Sequence, residues 1–237
     1  MIHRTLDHIR QWWRYPQPTW FQRQMGQYTD VIDYDVTACR LASESSAEYA
    51  QAHMRTCPNF TRDYLLHEWV AQHVGAGTVA EFGVATGRTL RNWAHFLPDR
   101  RIWGFDSFDG LPEDWCSRMP AGTFRQTPPV VPGRCHLVSG AFENTLPSWI
   151  QANPEPMALL HIDSDLYSSA CTVLQLLEPQ IHVNTIIVFD EYINYPGWQQ
   201  DEHRDWQEFV QQHQIQYEYM ARVSRHQQVA VRVVARA

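Results

Sequence analysis

The sequence has no run of basic residues, no CxxC pair and no apolar stretch long enough to cross a bilayer. Each absence removes a class of function. Without clustered Lys and Arg, and with a formal net charge of −7, the chain lacks the electrostatic footprint of a nucleic-acid or anionic-membrane binder. The five cysteines (Cys39, Cys57, Cys116, Cys135, Cys171) are odd in number and scattered. That usage fits reduced thiols, not a disulfide framework or a zinc site. No apolar leader-like segment opens the sequence, so a soluble, cytoplasmic setting is expected, with neither nucleic acid nor membrane as partner. Internal repeats and low-complexity tracts are also missing. What is present is an ordinary globular composition, 44% hydrophobic and 19% charged over 237 residues. That length supports one sizeable core, or one domain with an appendage.

Residues 1 to about 58 show no dependable period, although Trp12, Trp13, Trp20 and Phe21 could anchor an N-terminal extension on a neighbouring surface or a second subunit. The spacing predicts a helix over 59–74, with Leu65, Trp69 and His73 on one face and Gly75 and Gly77 as its stop. From Thr78 strands and helices alternate. Strands are expected over 78–84, 102–106, 135–139, 157–162 and 185–189, and helices over 89–97, 143–151 and from 166 to just before Pro179. The last of these places Ala170, Val173, Leu174 and Leu177 inward. A further helix turns Trp206, Phe209, Val210 and His213 inward, and 215–223 with 228–235 reads as an antiparallel hairpin. The segment Gly110–Gly133 is long, irregular and proline-rich, a candidate lid. Helical crossovers between strands imply a parallel sheet. The expected fold is α/β, Rossmann-like, with the class I methyltransferase layout of seven mostly parallel strands ending in an antiparallel hairpin. The expected division is a mainly helical extension over 1–75 and the sheet domain over 76–237.

Two strands end in acid. The run Leu159–Ile162 leads into Asp163-Ser164-Asp165, and Thr185–Phe189 leads into Asp190-Glu191. Parallel strands side by side bring such tips to one sheet edge, where open α/β folds bind ligands. Four carboxylates gathered there would repel one another, so a positive group is expected among them, most simply a divalent cation. Asp165 also suits the N-cap of the helix that follows, and Ser164 could take that role instead. His161, in the strand, is expected to be buried and hydrogen-bonded, not a ligand.

A second feature is Glu81-Phe82-Gly83-Val84-Ala85-Thr86-Gly87, between a strand and a helix. Glycines at 83 and 87 permit a tight turn and close approach to a ligand, and the next helix offers free N–H groups to an anion. Read alone, the motif is equally a plain strand-to-helix turn. Asp106, 19 residues after Gly87 and at the next strand tip, sits near the offset of a ribose-binding acid; a turn or cap role is its plainer alternative. Dinucleotide sites want closer glycines for a pyrophosphate. A pyrophosphate-free adenosyl ligand fits better, and S-adenosylmethionine has the right parts. The expected cofactor set is Glu81, Gly83, Thr86, Gly87, Asp106 and Ser107, with Gly140, Ala141 and Phe142 walling an adenine pocket; Phe142 could equally be core.

Glu81-Phe82-Gly83-Val84, Asp106–Pro112 (DSFDGLP), Gly140-Ala141-Phe142 with Thr145-Leu146-Pro147, Ile162–Tyr167 (IDSDLY) and Asp190-Glu191-Tyr192 occur in that order. Over about residues 78–200 the chain resembles the macrocin O-methyltransferase family, metal-dependent enzymes that methylate sugar hydroxyls of natural products. The resemblance implies that Asp163, Asp190 and Glu191 bind Mg²⁺ and that Asp165 is the general base. Glu191 departs from the family's usual Asp. The all-oxygen donor set suits Mg²⁺, Mn²⁺ or Ca²⁺ and not zinc. Trp115, Phe124, Tyr192, Tyr195 and Trp198 could cover or wall an acceptor pocket, or simply pack. The resemblance and the aromatic N-terminus lean towards a homodimer. Two other functions compete. A glycosyltransferase would use Asp163 and Asp165 as a D-x-D motif but leave the glycine turn idle, and a non-catalytic binding module would leave the four carboxylates unexplained.

Overall fold

The structure is a computed structural model and describes residues 34–116 and 119–236. The aromatic anchors expected at Trp12, Trp13, Trp20 and Phe21 lie outside these residues. Among the described residues a helix α1 (Tyr34–His53) comes first, where no period was readable. The two-residue strand β1 (Asn59–Phe60) and helix α2 (Asp63–Ala71) follow. Then come β2 (Thr78–Phe82), α3 (Arg88–Phe96), β3 (Ile102–Asp106), β4 (Cys135–Ser139), α4 (Phe142–Ala152) and β5 (Met157–Ile162). Helix α5 (Tyr167–Leu177), β6 (Ile186–Phe189), α6 (Glu202–Gln212), β7 (Ile215–Val223) and β8 (Val229–Arg236) complete the domain.

The strands form one sheet in the order β1-β7-β8-β6-β5-β2-β3-β4. All neighbours are parallel except at β8, which runs antiparallel to both β6 and β7. This is the α/β methyltransferase fold expected, extended by β1 on the edge of the hairpin. Central strands β5 and β6 are buried at every residue, which is why they read as unbroken apolar runs. Alternate side chains feed two cores. Leu160, Ile162, Ile187 and Phe189 face one layer with Leu146, Trp149, Val173, Leu174, Trp206 and Phe209. Leu159, Ile186 and Val188 face the other, with Leu66, Val70, Leu90 and Trp93. Helices therefore cover both faces. A fully buried leucine such as Leu174 contributes about 2–3 kcal/mol by leaving water.

One local expectation is corrected. The helix over 59–74 is shorter, and its buried face is Leu66, His67 and Val70. Leu65 is exposed, and Trp69 lies against His73 (ring centroids 4.1 Å apart, planes tilted by 37°) and packs beside Phe60 near the surface. The face is set by contacts with α3 and β7, which local spacing does not reveal. The first two residues of the segment are captured by β7: Asn59 pairs with Arg222 and Phe60 with Val223. Both β1 and α2 lie before residue 76 and pack with the sheet.

Strands β2 and β5 are neighbours, but the chain leaves β2 towards β3 and β4 and leaves β5 towards β6 and β8. The order of the sheet reverses between them, and the crevice at their carboxyl ends is where this architecture binds ligands.

Candidate functional site

On one side of that crevice is the turn from β2 into α3. Gly83 has φ +95°, and a Cβ there would lie 1.7 Å from the Asp163 carbonyl oxygen. Only glycine lets the tips of β2 and β5 approach so closely. Gly87 has φ +73° and is the N-cap of α3. Asp106 holds the turn. Its Oδ2 accepts the N–H groups of Val84 (2.9 Å) and Ala85 (2.7 Å), and its Oδ1 accepts that of Phe108 (2.7 Å). A carboxylate has about four acceptor positions, so Asp106 keeps room for one further donor beyond shaping the loop. The Ser107 hydroxyl accepts the Asp109 N–H at 3.1 Å. Gly140 donates its N–H to the Asp106 carbonyl at 3.0 Å, so this third strand tip joins the same edge. Ala141 is the N-cap of α4, and half-buried Phe142 packs edge-on against Phe82 at 5.8 Å. Thr86 is exposed in the turn.

Glu81 is the member of the expected cofactor set that the structure commits elsewhere. It is fully buried, accepting the Thr89 hydroxyl at 2.9 Å on Oε1 and facing His161 Nδ1 at 3.0 Å with Oε2. Both oxygens thus serve the protein interior.

On the other side of the crevice, Asp163, Asp190 and Glu191 each bring one carboxylate oxygen within 4.8 Å of the others. The sheet ladder sets this register. Asp163 donates its N–H to the Phe82 carbonyl at 2.8 Å, and Asp190 donates to the Ile162 carbonyl at 2.9 Å, so all three strand tips are locked side by side. The electrostatics are uneven. Burial and the Asp190 charge push Asp163 well above the ordinary carboxylate range, and burial with Asp190, Asp165 and Asp163 does the same to Glu191. Burial would also raise Asp190, but the hydrogen bond and charge of His161 outweigh it and hold Asp190 below that range. Gln228 Nε2 donates to Asp190 Oδ1 at 2.6 Å.

His161 occupies the buried position expected for it. Its Nδ1 faces Glu81 and its Nε2 faces Asp190 Oδ1 at 3.4 Å. Burial works against its charge, yet the two carboxylates prevail and raise it to about 10. The imidazolium therefore joins the strand of the glycine turn to an acidic strand tip. His67 lies against it (ring centroids 5.2 Å apart) and also brings a ring nitrogen within 4.8 Å of His161 and Asp190 ligand atoms. Burial keeps His67 neutral, at about 3, and neither of its ring nitrogens has a hydrogen-bond partner.

Asp165 adopts the left-handed backbone conformation, φ +63°, which Asp tolerates better than most residues. Its cap role is not seen: the N-cap of α5 is Leu166 and no side chain caps it. Ser164 does not cap either, and its hydroxyl is buried without a partner. Burial, then the charges of Asp190, Asp201 and Asp106, raise Asp165 to about 7. It is thus a carboxyl group poised to exchange a proton near neutral pH.

Sequence reasoning missed two acids. Asp201 Oδ2 accepts the Trp115 Nε1–H (3.3 Å) and the Tyr195 hydroxyl (3.0 Å), tying the proline-rich loop to the segment after β6. Glu202, the next residue, is fully buried and accepts the Glu191 N–H at 3.1 Å. Their signal was faint: an acidic pair opening a helix looks like ordinary dipole complementation. Of the expected acceptor walls, Trp115 and Tyr195 meet at 6.0 Å beside Asp201, and Phe124 is exposed on the loop. Tyr192 and Trp198 are core instead. Tyr192 joins a hydroxyl network with Tyr49, Tyr217, Tyr219 and Gln207, and Trp198 donates to Ser45 of α1 at 3.1 Å.

With this geometry in hand, comparison with known families gives a direct match. Residues 80–192 match the family described as Methyltransferase domain. The matched span runs from β2 through the acidic tip of β6, and so contains the glycine turn, Asp106 and all four carboxylates. A curated relative, demethyldecarbamoylnovobiocin O-methyltransferase of Streptomyces niveus, is 26% identical over 123 residues, 44% of this chain and 46% of that protein. The chain thus aligns with less than half of that relative's length. The methyltransferase domain also resembles the solved structure of the calicheamicin methyltransferase CalS11, at TM-score 0.58 and 22% identity over 86% of this chain and 94% of that one. The O-methyltransferase NovP is similar at TM-score 0.58 and 20% identity, over 73% and 79% of the two chains. At such identities the shared property is the fold. Among the described residues no helix is long and apolar enough to cross a membrane.

Proposed function

We propose that this methyltransferase domain uses S-adenosylmethionine and a divalent cation, Mg²⁺ by preference, to methylate a hydroxyl of a small, polyhydroxylated, sugar-like acceptor. The observation that carries the reading is the convergence of Asp163, Asp190 and Glu191 within 4.8 Å at the crevice, against the Gly83 turn. The donor set fits a hard cation: every donor is a carboxylate oxygen, and Glu191 Oε2 is buried with no partner. When bound, the cation would stabilise the alkoxide form of an acceptor hydroxyl, and S-adenosylmethionine would supply an electrophilic methyl group.

The chain's own residues do the rest. Asp163, Asp190 and Glu191 hold the cation, with His161 and Gln228 fixing the Asp190 carboxylate. Asp165 takes the proton from the acceptor hydroxyl. The β2–α3 turn, shaped by Asp106, aims the α3 N-terminus at the cofactor's carboxylate, and Asp106 Oδ1 has an acceptor position left for a ribose hydroxyl. Gly140, Ala141 and Phe142 line the adenine end. Trp115, held by Asp201, covers the acceptor side. The acceptor class is our reading from the resemblance to the macrocin O-methyltransferase family and from the similarity to demethyldecarbamoylnovobiocin O-methyltransferase. A glycosyltransferase reading leaves the glycine turn without a task.

Calorimetry tests this directly. S-adenosylhomocysteine should bind at micromolar affinity, chelator should abolish methyl transfer, and Mg²⁺ should restore it. Binding of a nucleotide sugar with none of S-adenosylhomocysteine would overturn the assignment, and full activity in excess chelator would remove the cation from it.

A further inference from the structure

Three buried groups lie near the site without a task in the mechanism above: His67, Ser164 and Glu202. Glu202 is the one whose side chain holds the backbone of an acidic tip. It opens α6 and is fully buried. Its Oε2 accepts the backbone N–H of Glu191 at 3.1 Å, while its Oε1 is buried without a hydrogen-bond partner. Glu191 directly follows Asp190.

The location matters because of where the sheet ends. The last ladder hydrogen bonds at these tips are those of Asp163 and Asp190. One residue further on, at Glu191, the backbone has left the sheet. A buried N–H must find an acceptor, and here Glu202 supplies it. Glu202 thereby fixes the loop after β6, and Glu191 is one of the residues whose geometry decides whether three carboxylates converge.

Resting on the divalent-cation reading above, we infer that Glu202 is a positioning residue for the cation site, acting through the backbone of Glu191 and not as a ligand. Outer groups that orient ligands typically change metal affinity by about 10–100-fold when removed. Two conservative variants separate reach from charge. Glu202→Gln keeps the length and a carbonyl acceptor but loses the charge; Glu202→Asp keeps the charge but falls one methylene short of the Glu191 N–H.

The experiment uses the full chain. Mn²⁺ uptake is followed by electron paramagnetic resonance of the free ion, and S-adenosylhomocysteine binding by calorimetry on the same samples. The expected result is that Glu202→Asp weakens Mn²⁺ binding by about 10-fold or more while Glu202→Gln stays within about 3-fold of the wild type. Both variants should keep S-adenosylhomocysteine affinity. The inference is overturned if Glu202→Gln is the weaker binder, which would make Glu202 a ligand or a charge partner. It is equally overturned if both variants bind Mn²⁺ as the wild type does, or if both lose S-adenosylhomocysteine, which would make Glu202 a general support of the fold. A wild type that takes up no Mn²⁺ would instead sink the cation reading itself.

Discussion

Replacing Gly83 by alanine probes the closest approach in the site. The added Cβ would lie 1.7 Å from the carbonyl oxygen of Asp163 and 2.6 Å from its carbonyl carbon, at φ +95°. Neither neighbour can swing away, because both contacts are backbone and Asp163 is held by its N–H bond to Phe82. Ordinary contact requires the two tips to part by roughly 1.5 Å. Holding alanine at such a φ costs about 1–3 kcal/mol, and forcing atoms into a packed region costs about 1–3 kcal/mol more. A total near 4 kcal/mol should lower the melting temperature by about 8–16 °C in a chain of this size. Two controls isolate the terms. Gly122→Ala shares a positive φ, +82°, but meets nothing within 4 Å, so it should show the strain alone. Gly133→Ala has neither burden and should melt within about 1 °C of the wild type. Differential scanning calorimetry reads all three, and Mn²⁺ titration reads the displacement of Asp163. A Gly83→Ala variant that melts no lower than Gly122→Ala would refute the close-approach reasoning.

Asp165→Asn should lower methyl transfer by about 10²–10⁴-fold while S-adenosylhomocysteine affinity stays within about twofold; unchanged transfer would remove Asp165 as the base. Metal-free protein should lose stability as pH rises from 7 to 9. His161, raised in the fold to about 10, keeps a proton that the unfolded chain has released, so its contribution is complete below about pH 6.5 and drains away towards pH 10. Urea unfolding in chelator at the two pH values checks the sign, and a rise in stability would contradict it. Trp115→Phe removes the donor to Asp201 and should raise the acceptor KM more than it lowers kcat. An effect on kcat alone would place Trp115 nearer the chemistry.

Local pattern carried much of the architecture. The strands at 102–106, 135–139 and 157–162 end where the alternation of apolar residues and turn formers places them, and α5 buries Ala170, Val173, Leu174 and Leu177 as its spacing requires. The acidic tips were legible because a carboxylate at the end of a buried strand has no structural reason to be there. Asp106 was legible in position but not in its contacts, since its partners at Val84 and Ala85 come from another strand's turn. Glu81 looked like part of a ligand motif, and its burial against His161 depends on an 80-residue separation that spacing cannot report.

The chain alone determined the alternation of strands and helices, and with it a parallel sheet whose tips collect acid and glycine at one edge. It could do so because burial on two faces and tight turns leave their mark within a few residues. Only the tertiary structure decided that β1 joins β7, that Leu66 and not Leu65 faces inward, and that Glu202 reaches the backbone of Glu191. Those choices are made by contacts between segments far apart in the chain, and a side chain's local surroundings hold no record of a partner that folding alone brings near.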